Sequence, residues 1–161
     1  MSVTISYPKL KLAAQLREAG GQTVAESLVA AGANLEALRP ACLDELRGVV
    51  ANLAAASQRL ADTFNAEALE ELYGIAARAV GVGAVSGAPG ADVALVSLCD
   101  LLDRLANSGR WDSKAIEVHV RTLQLLAAQG DALDAAATQR ILDGLRQVSA
   151  RYAAPAVAAA G

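Results

Sequence analysis

His119 is the only histidine of the chain, and it is the first residue to consider for chemistry. An imidazole can accept a phosphoryl group or act as a general base near neutral pH. Its neighbours at helical spacing, Ile116, Val120 and Leu123, are apolar, so the pattern favours a histidine that borders the core. No carboxylate is clearly placed in the sequence to orient the ring. We therefore expect a structural role for His119 and keep phosphotransfer through it as an alternative.

Carboxylates and serines are the other groups that could act as acids, bases or nucleophiles. Asp100 and Asp103 lie one helical turn apart, and such a pair can divide acid and base roles when burial separates the two pKa values. With Arg104 beside them, ordinary solvated side chains are the preferred interpretation. Ser86 and Ser97 have no base close in the sequence to activate a hydroxyl. We therefore predict that the chain is not an enzyme.

A glycine-rich segment at residues 81–87 superficially resembles a dinucleotide-binding loop. Its spacing is GxGxxxG, no strand precedes it, and it lacks the lysine of a phosphate-binding loop. Close packing of helices at the glycines is the preferred interpretation.

Composition argues against several classes of function. The net charge is −3, and no basic cluster is interleaved with aromatic residues, so nucleic-acid binding is not expected. No apolar run approaches the ~18 to 20 residues that span a bilayer, and residues 1–21 lack the continuous apolar segment of a signal peptide. Cys42 and Cys99 could form a bridge in principle, but reduced thiols are expected, and one histidine with two thiols cannot build a zinc site. We expect a cytoplasmic protein without metal or cofactor.

The chain has the composition of a helical domain. Apolar residues make up 54% of its 161 residues, alanine is abundant, and aromatic residues reach only 3%. Alanine favours helix and lets helices approach closely, whereas strands need β-branched and aromatic runs. We predict an all-α, antiparallel up-down bundle over residues 22–152. A loosely ordered segment is expected at 1–21 and a flexible tail at 153–161.

The first half of the bundle is predicted to contain three helices. Thr23 and Glu26 form a capping-box pattern that starts a short helix ending near Ala31, before Gly32. The second helix starts or kinks at Pro40. Its apolar stripe is Leu35, Leu38, Cys42, Leu46, Val49, Leu53, Ala56 and Leu60. The third helix covers about 66–86, with Asn65 as its N-cap.

Three further helices are predicted in the second half. The fourth, about 91–106, is apolar nearly all round, which suits the most buried helix of a bundle. The fifth begins after Asp112, with Trp111 and Ile116 placed as a hydrophobic staple, and runs to about Gln129. The sixth covers about 134–152. Short connections between these helices favour antiparallel neighbours.

Several of these segments resemble the histidine phosphotransfer (HPt) family, especially the variant found in alphaproteobacterial signalling. That variant carries a helix of the form Leu-Tyr-x-Ile-Ala-His-x-x-Lys-Gly and, further on, Ser-Leu-Cys-x-Leu-Leu. Matching pieces here are Leu-Tyr-Gly-Ile-Ala at 72–76, Gly81, and Ser-Leu-Cys-Asp-Leu-Leu at 97–102. Residues 38–40 and 118–123 also resemble the family, and the likeness covers about residues 34–127.

The resemblance implies that the reactive position has been lost. Ala77 stands where the family has its phospho-accepting histidine, and Val80 stands where it has a lysine. A methyl group offers no lone pair and an isopropyl group no charge, so phosphotransfer at this position is chemically excluded. His119 matches a different helix of the family pattern and does not replace the missing group.

What the resemblance leaves is a surface for protein partners. Family members present the middle of this helix to a receiver domain. The corresponding residues, which we call the candidate docking surface, are Gly74, Ala77, Arg78, Val80, Gly81, Ala84 and Val85. The implied function is a bacterial, non-catalytic protein that binds a response-regulator receiver domain or a histidine kinase in two-component or chemotaxis signalling. A self-associating helical module, supported by the apolar cover of the fourth and sixth helices, is the other alternative, so a homodimer stays open.

Overall fold

The computed structural model describes residues 20–60 and 63–152, except the side chain of Asp131. This part of the chain contains six α-helices, one 3₁₀ turn at Gly130–Ala132, and no strand. The helices are α1 (Val24–Gln58), α2 (Ala66–Ala79), α3 (Val82–Ser86), α4 (Pro89–Ser108), α5 (Ser113–Gln129) and α6 (Ala135–Ala150). The all-α helical bundle is confirmed, while its up-down order stays a prediction. The expectations for residues 1–19 and for the tail at 153–161 lie outside the described residues.

Contacts between Cα atoms divide the chain into two units, residues 1–34 and 35–161. In the first unit the described residues hold the predicted capping box. The backbone N–H of Thr23 donates to Oε2 of Glu26 over 2.7 Å, and the N–H of Glu26 donates to Oγ1 of Thr23 over 3.2 Å. These two bonds satisfy amide donors that the helix itself cannot pair, so α1 begins where the sequence predicts.

The predicted break between a first and a second helix is wrong. α1 runs without interruption from Val24 to Gln58, through Gly32 and Pro40. A glycine weakens a helix interior by only about 1 kcal/mol, and proline removes one backbone hydrogen bond. In a helix of 35 residues the remaining hydrogen bonds outweigh both losses.

The core lies in the second unit and is centred on α4. The prediction that this helix is the most buried is confirmed: it packs against α2, α3, α5 and α6. Its largest fully buried side chains are Leu95, Leu98, Leu101, Leu102 and Leu105. From the predicted stripe of α1, Leu46, Leu53 and Ala56 are buried in this core, whereas Leu35 and Leu38 remain exposed.

Carboxylate and amide caps fix where the later helices begin. Asn65 accepts the N–H of Ala68 over 3.1 Å, and Asp112 accepts the N–H of Ala115 over 2.9 Å. Both predicted caps are therefore confirmed. Trp111, next to the second cap, packs against the core and meets the ring of Phe64 edge-on at 6.2 Å.

The two cysteines lie on different helices and are free thiols, as expected. Both are half-buried. Burial raises the pKa of the Cys99 thiol, with a further contribution from the charge of Asp100. A raised pKa keeps the thiol protonated and unreactive near neutral pH.

Candidate docking surface

Ala77, which the resemblance aligns with a histidine, lies at the surface. Ala77 is exposed near the C-terminal end of α2, while Ala76 and Ala79 on either side of it are buried against the core. Val80, which the resemblance aligns with a lysine, is 43% exposed. The last turn of α2 thus presents a methyl group to solvent, and an isopropyl group follows just after the helix ends.

The prediction of one helix over 66–86 is wrong, and the error divides the candidate docking surface. α2 ends at Ala79, Val80 has extended backbone angles, and Gly81 has φ +99°, a conformation that side chains with a Cβ rarely adopt. Gly74, Ala77 and Arg78 therefore lie on α2, Val80 and Gly81 form the break, and Ala84 and Val85 belong to α3. The seven residues do not follow successive turns of one helix.

Asp92, which the sequence analysis missed, holds this break in place from α4. Its Oδ1 accepts the backbone N–H groups of Gly81 and Gly83, each over 2.9 Å, and its Oδ2 accepts that of Ala84 over 2.7 Å. These are amides that a new helix start leaves without intrahelical partners. The only signal in the sequence was an acidic residue shortly after a run of glycines.

At Gly83, the second feature of the break, the backbone lies very close to Ala88 and Asp92. A Cβ at this position would lie 2.7 Å from the carbonyl oxygen of Ala88 and 2.8 Å from Oδ1 of Asp92. The N–H of Ala88 also donates to the carbonyl of Gly83 over 2.8 Å. Close packing is therefore confirmed at Gly83, whereas nothing lies within 4 Å of an added Cβ at Gly81, which serves the turn.

Arg78 supplies the positive charge of the candidate docking surface. Its side chain is exposed and lies close to Gly74, where an added Cβ would be 3.6 Å from Nη1. Among the described residues, no ion pair engages it. A guanidinium in this state can form bidentate hydrogen bonds with a carboxylate of a partner.

An apolar cleft of about 210 Å³ lies one turn back along α2, between this helix and α4. Leu69 and Leu102 line it, and Tyr73, which is 46% exposed, stands at its edge four residues before Ala77. Glu70 and Asp103 also line the cleft. Residues four apart share a helix face, so the cleft extends the face that carries Ala77.

His119 is fully buried, which agrees with the prediction that it borders the core. Its Nδ1 lies 2.9 Å from the carbonyl oxygen of Ala115, so this nitrogen carries the proton and donates. Nε2 is then an acceptor, and Oγ of Ser97 and Oγ of Ser149 lie 3.1 Å and 3.3 Å from it. Burial lowers the pKa of the imidazole. The ring is therefore neutral and fully hydrogen-bonded at neutral pH.

Ser97 has no base close in the sequence, but the packing of the helices brings one to it. The fold brings His119 of α5 and Ser149 of α6 to Ser97 of α4, although the three lie far apart in the chain. A cleft of about 250 Å³ between α4 and α6 reaches both serines, and Arg104 donates to the carbonyl of Ser149 over 3.3 Å. A backbone carbonyl orients the imidazole, and the arrangement joins three helices by polar bonds.

Asp100 and Asp103 are both exposed, in agreement with their interpretation as solvated side chains. The described part of the chain contains no group of three or more His, Cys, Asp or Glu side chains able to hold a metal ion. None of the helices in residues 20–60 and 63–152 combines the length and apolar character needed to cross a bilayer.

Comparison with known proteins finds no match to this chain among protein-family models, curated proteins or solved structures.

Proposed function

We propose that this protein is a non-catalytic relative of phosphotransfer bundles that binds a receiver domain or a histidine kinase and modulates two-component or chemotaxis signalling. It acts by occupying its partner, because Ala77 and Val80 cannot carry or stabilise a phosphoryl group. The observation that supports this most is the exposure of Ala77 on a helix whose neighbouring residues are anchored in the core.

The form of the surface supports binding by shape. Ala77 and Gly81 are small and exposed, so a partner can come close to the backbone of α2. Asp92 holds the break after Ala79 by three hydrogen bonds, which keeps the surface ordered before binding. A surface that is already ordered loses less conformational entropy when a partner docks.

A charged contact and an apolar contact would both contribute to binding the partner. Arg78 offers an exposed guanidinium, and the cleft beside Tyr73 can accept an apolar side chain of the partner. A central apolar contact next to a charged anchor is typical of the residues that dominate binding energy at protein interfaces.

The test is a pull-down with the full chain against the receiver domains and kinases of the source cell, followed by titration calorimetry of any pair found. Arg78→Glu and Ala77→Trp should each weaken binding at least ten-fold, about 1.4 kcal/mol or more. Circular dichroism should show unchanged helix content, because both side chains are exposed on α2.

Matched controls exist on other faces. Arg140→Glu reverses the charge of an exposed arginine on α6, and Ala51→Trp enlarges an exposed alanine of α1. Both should bind as the parent chain does. Binding that is insensitive to Arg78→Glu and Ala77→Trp, or the absence of any receiver or kinase partner, would refute the proposal.

Phosphotransfer through His119 is the alternative, and it makes a different prediction. An imidazole with no exposed surface cannot reach a phosphoryl donor in this conformation. Incubation with a phosphorylated response regulator should leave the chain unlabelled. An acid-labile label that disappears in His119→Ala would identify His119, the one histidine of the chain, and overturn the non-catalytic proposal.

A further inference from the structure

The cleft between α2 and α4 combines buried apolar side chains with exposed acidic ones. Leu69 and Leu102 line it and are buried, whereas Glu70 and Asp103 line it and are exposed. Tyr73, at the edge of the cleft, is 46% exposed. All five residues belong to the second unit, residues 35–161. The cleft therefore offers apolar contact and two negative charges to whatever enters it.

The charges of Glu70 and Asp103 are not compensated within the described part of the chain. The ion pairs there use other acidic side chains, namely Glu36, Asp44, Glu71, Glu117 and Asp143. Among the described residues that line the cleft there is no lysine or arginine. Arg104, next to Asp103 in the chain, donates to the carbonyl of Ser149 on α6 instead. A cation is therefore the complement that this cleft lacks.

The size of the cleft suits one side chain of a protein partner. Its volume is about 210 Å³, whereas small-molecule sites usually occupy about 300–1,000 Å³. Residues 20–60 and 63–152 hold no group of three or more side chains able to bind a metal ion. The complementary cation is therefore expected on a side chain rather than on a metal or a cofactor.

The combination of apolar and acidic groups selects among side chains. A purely apolar side chain would remove water from Glu70 and Asp103 and give them no partner in return, which costs free energy. Lysine and arginine both carry an apolar stem that ends in a cation. Arginine also has a planar head that stacks on an aromatic ring such as that of Tyr73, and N–H donors that can pair with a carboxylate in bidentate fashion. Arginine therefore fits the cleft better than lysine does.

We propose that the cleft between α2 and α4 binds an arginine side chain of a protein partner. The methylene stem packs on Leu69 and Leu102, and the guanidinium pairs with Glu70 and Asp103 beside the ring of Tyr73. A protein partner must supply this arginine, so the site rests on the proposed function. It narrows the occupant of the cleft from an apolar side chain in general to one that ends in a guanidinium.

Model side chains test the site without any partner protein. The isotopically labelled full chain is titrated with N-acetylarginine amide, and the backbone amide chemical shifts are followed by NMR. The shifts should saturate, with a dissociation constant in the millimolar range, and should be largest at residues 69–73 and 102–106. N-acetylcitrulline amide has nearly the same shape and no charge, so it should bind at least about three-fold more weakly, and N-acetyllysine amide should also bind more weakly than the arginine probe.

Neutral variants of the two carboxylates test the charge while keeping the shape of each side chain. Glu70→Gln and Asp103→Asn should each weaken binding of the arginine probe roughly three-fold, as expected for an exposed ion pair, and should leave the weaker binding of the citrulline probe unchanged. Circular dichroism should show the helix content of the parent chain in both variants, because both side chains are exposed.

Matched controls lie one turn earlier on the same two helices. Glu67 of α2 and Asp100 of α4 are exposed and do not line the cleft. Glu67→Gln and Asp100→Asn should therefore bind the arginine probe as the parent chain does. Equal losses in these controls would show a general effect of surface charge and would overturn the site.

Three other outcomes would also overturn the arginine site. They are shifts that do not concentrate at the cleft, equal binding of the citrulline and arginine probes, and tighter binding of the lysine probe. Because no receiver domain or kinase takes part, the result is independent of the pull-down. Selective arginine binding by a chain that finds no receiver or kinase partner would support the site and refute the proposed function.

Discussion

Nε2 of His119 lies 3.1 Å from Oγ of Ser97, which belongs to another helix and is 22 residues away in the chain. With Ser149, the pair links α4, α5 and α6 through side chains near the centre of the second unit. Because the imidazole is buried and neutral, this link depends on pH.

We expect acidification to destabilise the fold through His119. Burial lowers the pKa of the folded-state imidazole, whereas in the unfolded chain it returns to about 6.5. Below that pH the unfolded state binds the additional proton first, so the free energy of unfolding decreases as pH falls toward the depressed folded value. Above it both states are neutral and the dependence disappears.

Urea unfolding of the parent chain and of His119→Gln between pH 8 and pH 5 measures this, since no other histidine titrates. The parent should lose stability relative to the variant as pH falls. Parallel pH profiles would show that His119 is not the titrating group.

Replacement of Asp92 should destabilise the chain. Asp92→Ala removes the acceptor of three backbone N–H groups at the start of α3. A hydrogen bond to a charged group contributes about 1.5–3 kcal/mol, and part of the loss is recovered by solvent at the exposed amides, so we expect about 2 kcal/mol. Asp100→Ala, on the exposed face of the same helix, should change stability by less than about 0.5 kcal/mol in the same denaturant titration. Equal effects would contradict the role assigned to Asp92.

Two glycine substitutions should act in opposite directions. Gly83→Ala brings a methyl group to 2.7 Å from the carbonyl oxygen of Ala88 and should lower stability by about 1–3 kcal/mol. Gly48→Ala, in the interior of α1 with nothing within 4 Å of the added Cβ, should raise it by about 1 kcal/mol. Thermal unfolding followed by circular dichroism distinguishes the two, and a stabilising Gly83→Ala would refute the close approach.

Asp112 should stabilise the fold through its bond to the hydroxyl of Tyr152 as well as by capping α5. This hydroxyl donates to Oδ2 of Asp112, and that bond, followed by those from the backbone, lowers the pKa of the carboxyl group. Asparagine caps a helix as well as aspartate does, so Asp134→Asn, at the start of α6, should be nearly neutral. Asp112→Asn should lose about 1 kcal/mol because a hydrogen bond to a charge is replaced by a neutral one.

The pH dependence provides the check. The stabilising effect of the Asp112 charge is complete above the ordinary carboxyl pKa and is lost as pH falls through the lowered folded value. The difference between the parent and Asp112→Asn should therefore shrink in acid. A constant difference would mean that the charge on Asp112 is not involved.

Local signals predicted the parts of the fold that depend on near neighbours in sequence. Asn65 and Asp112 cap their helices because the amides that they accept lie three residues away. The leucines of α4 predicted the most buried helix because their spacing covers every face. These features can be predicted without knowing how the other helices pack.

Long-range contacts account for what the sequence did not predict. The end of α2 at Ala79 depends on Asp92 of another helix, so a continuing apolar pattern around Val82 and Val85 gave no warning. The contact between Ser97 and His119 exists only after α4 and α5 pack. Gly32 predicts the end of one helix and Pro40 the start or a kink of the next, but α1 continues through both positions.

The carboxylate of Asp92 also sets the charge at the turn between α2 and α3. The amides of Gly81, Gly83 and Ala84 form a concave set of donors of the kind that binds phosphate in other proteins, and here an acidic side chain of the chain itself fills it. A phosphate approaching this turn would meet three amides that already donate to Asp92, and the negative charge of that carboxylate would repel it. While Asp92 accepts these three amides they are not available to an anion, and the turn between α2 and α3 carries its own counter-charge.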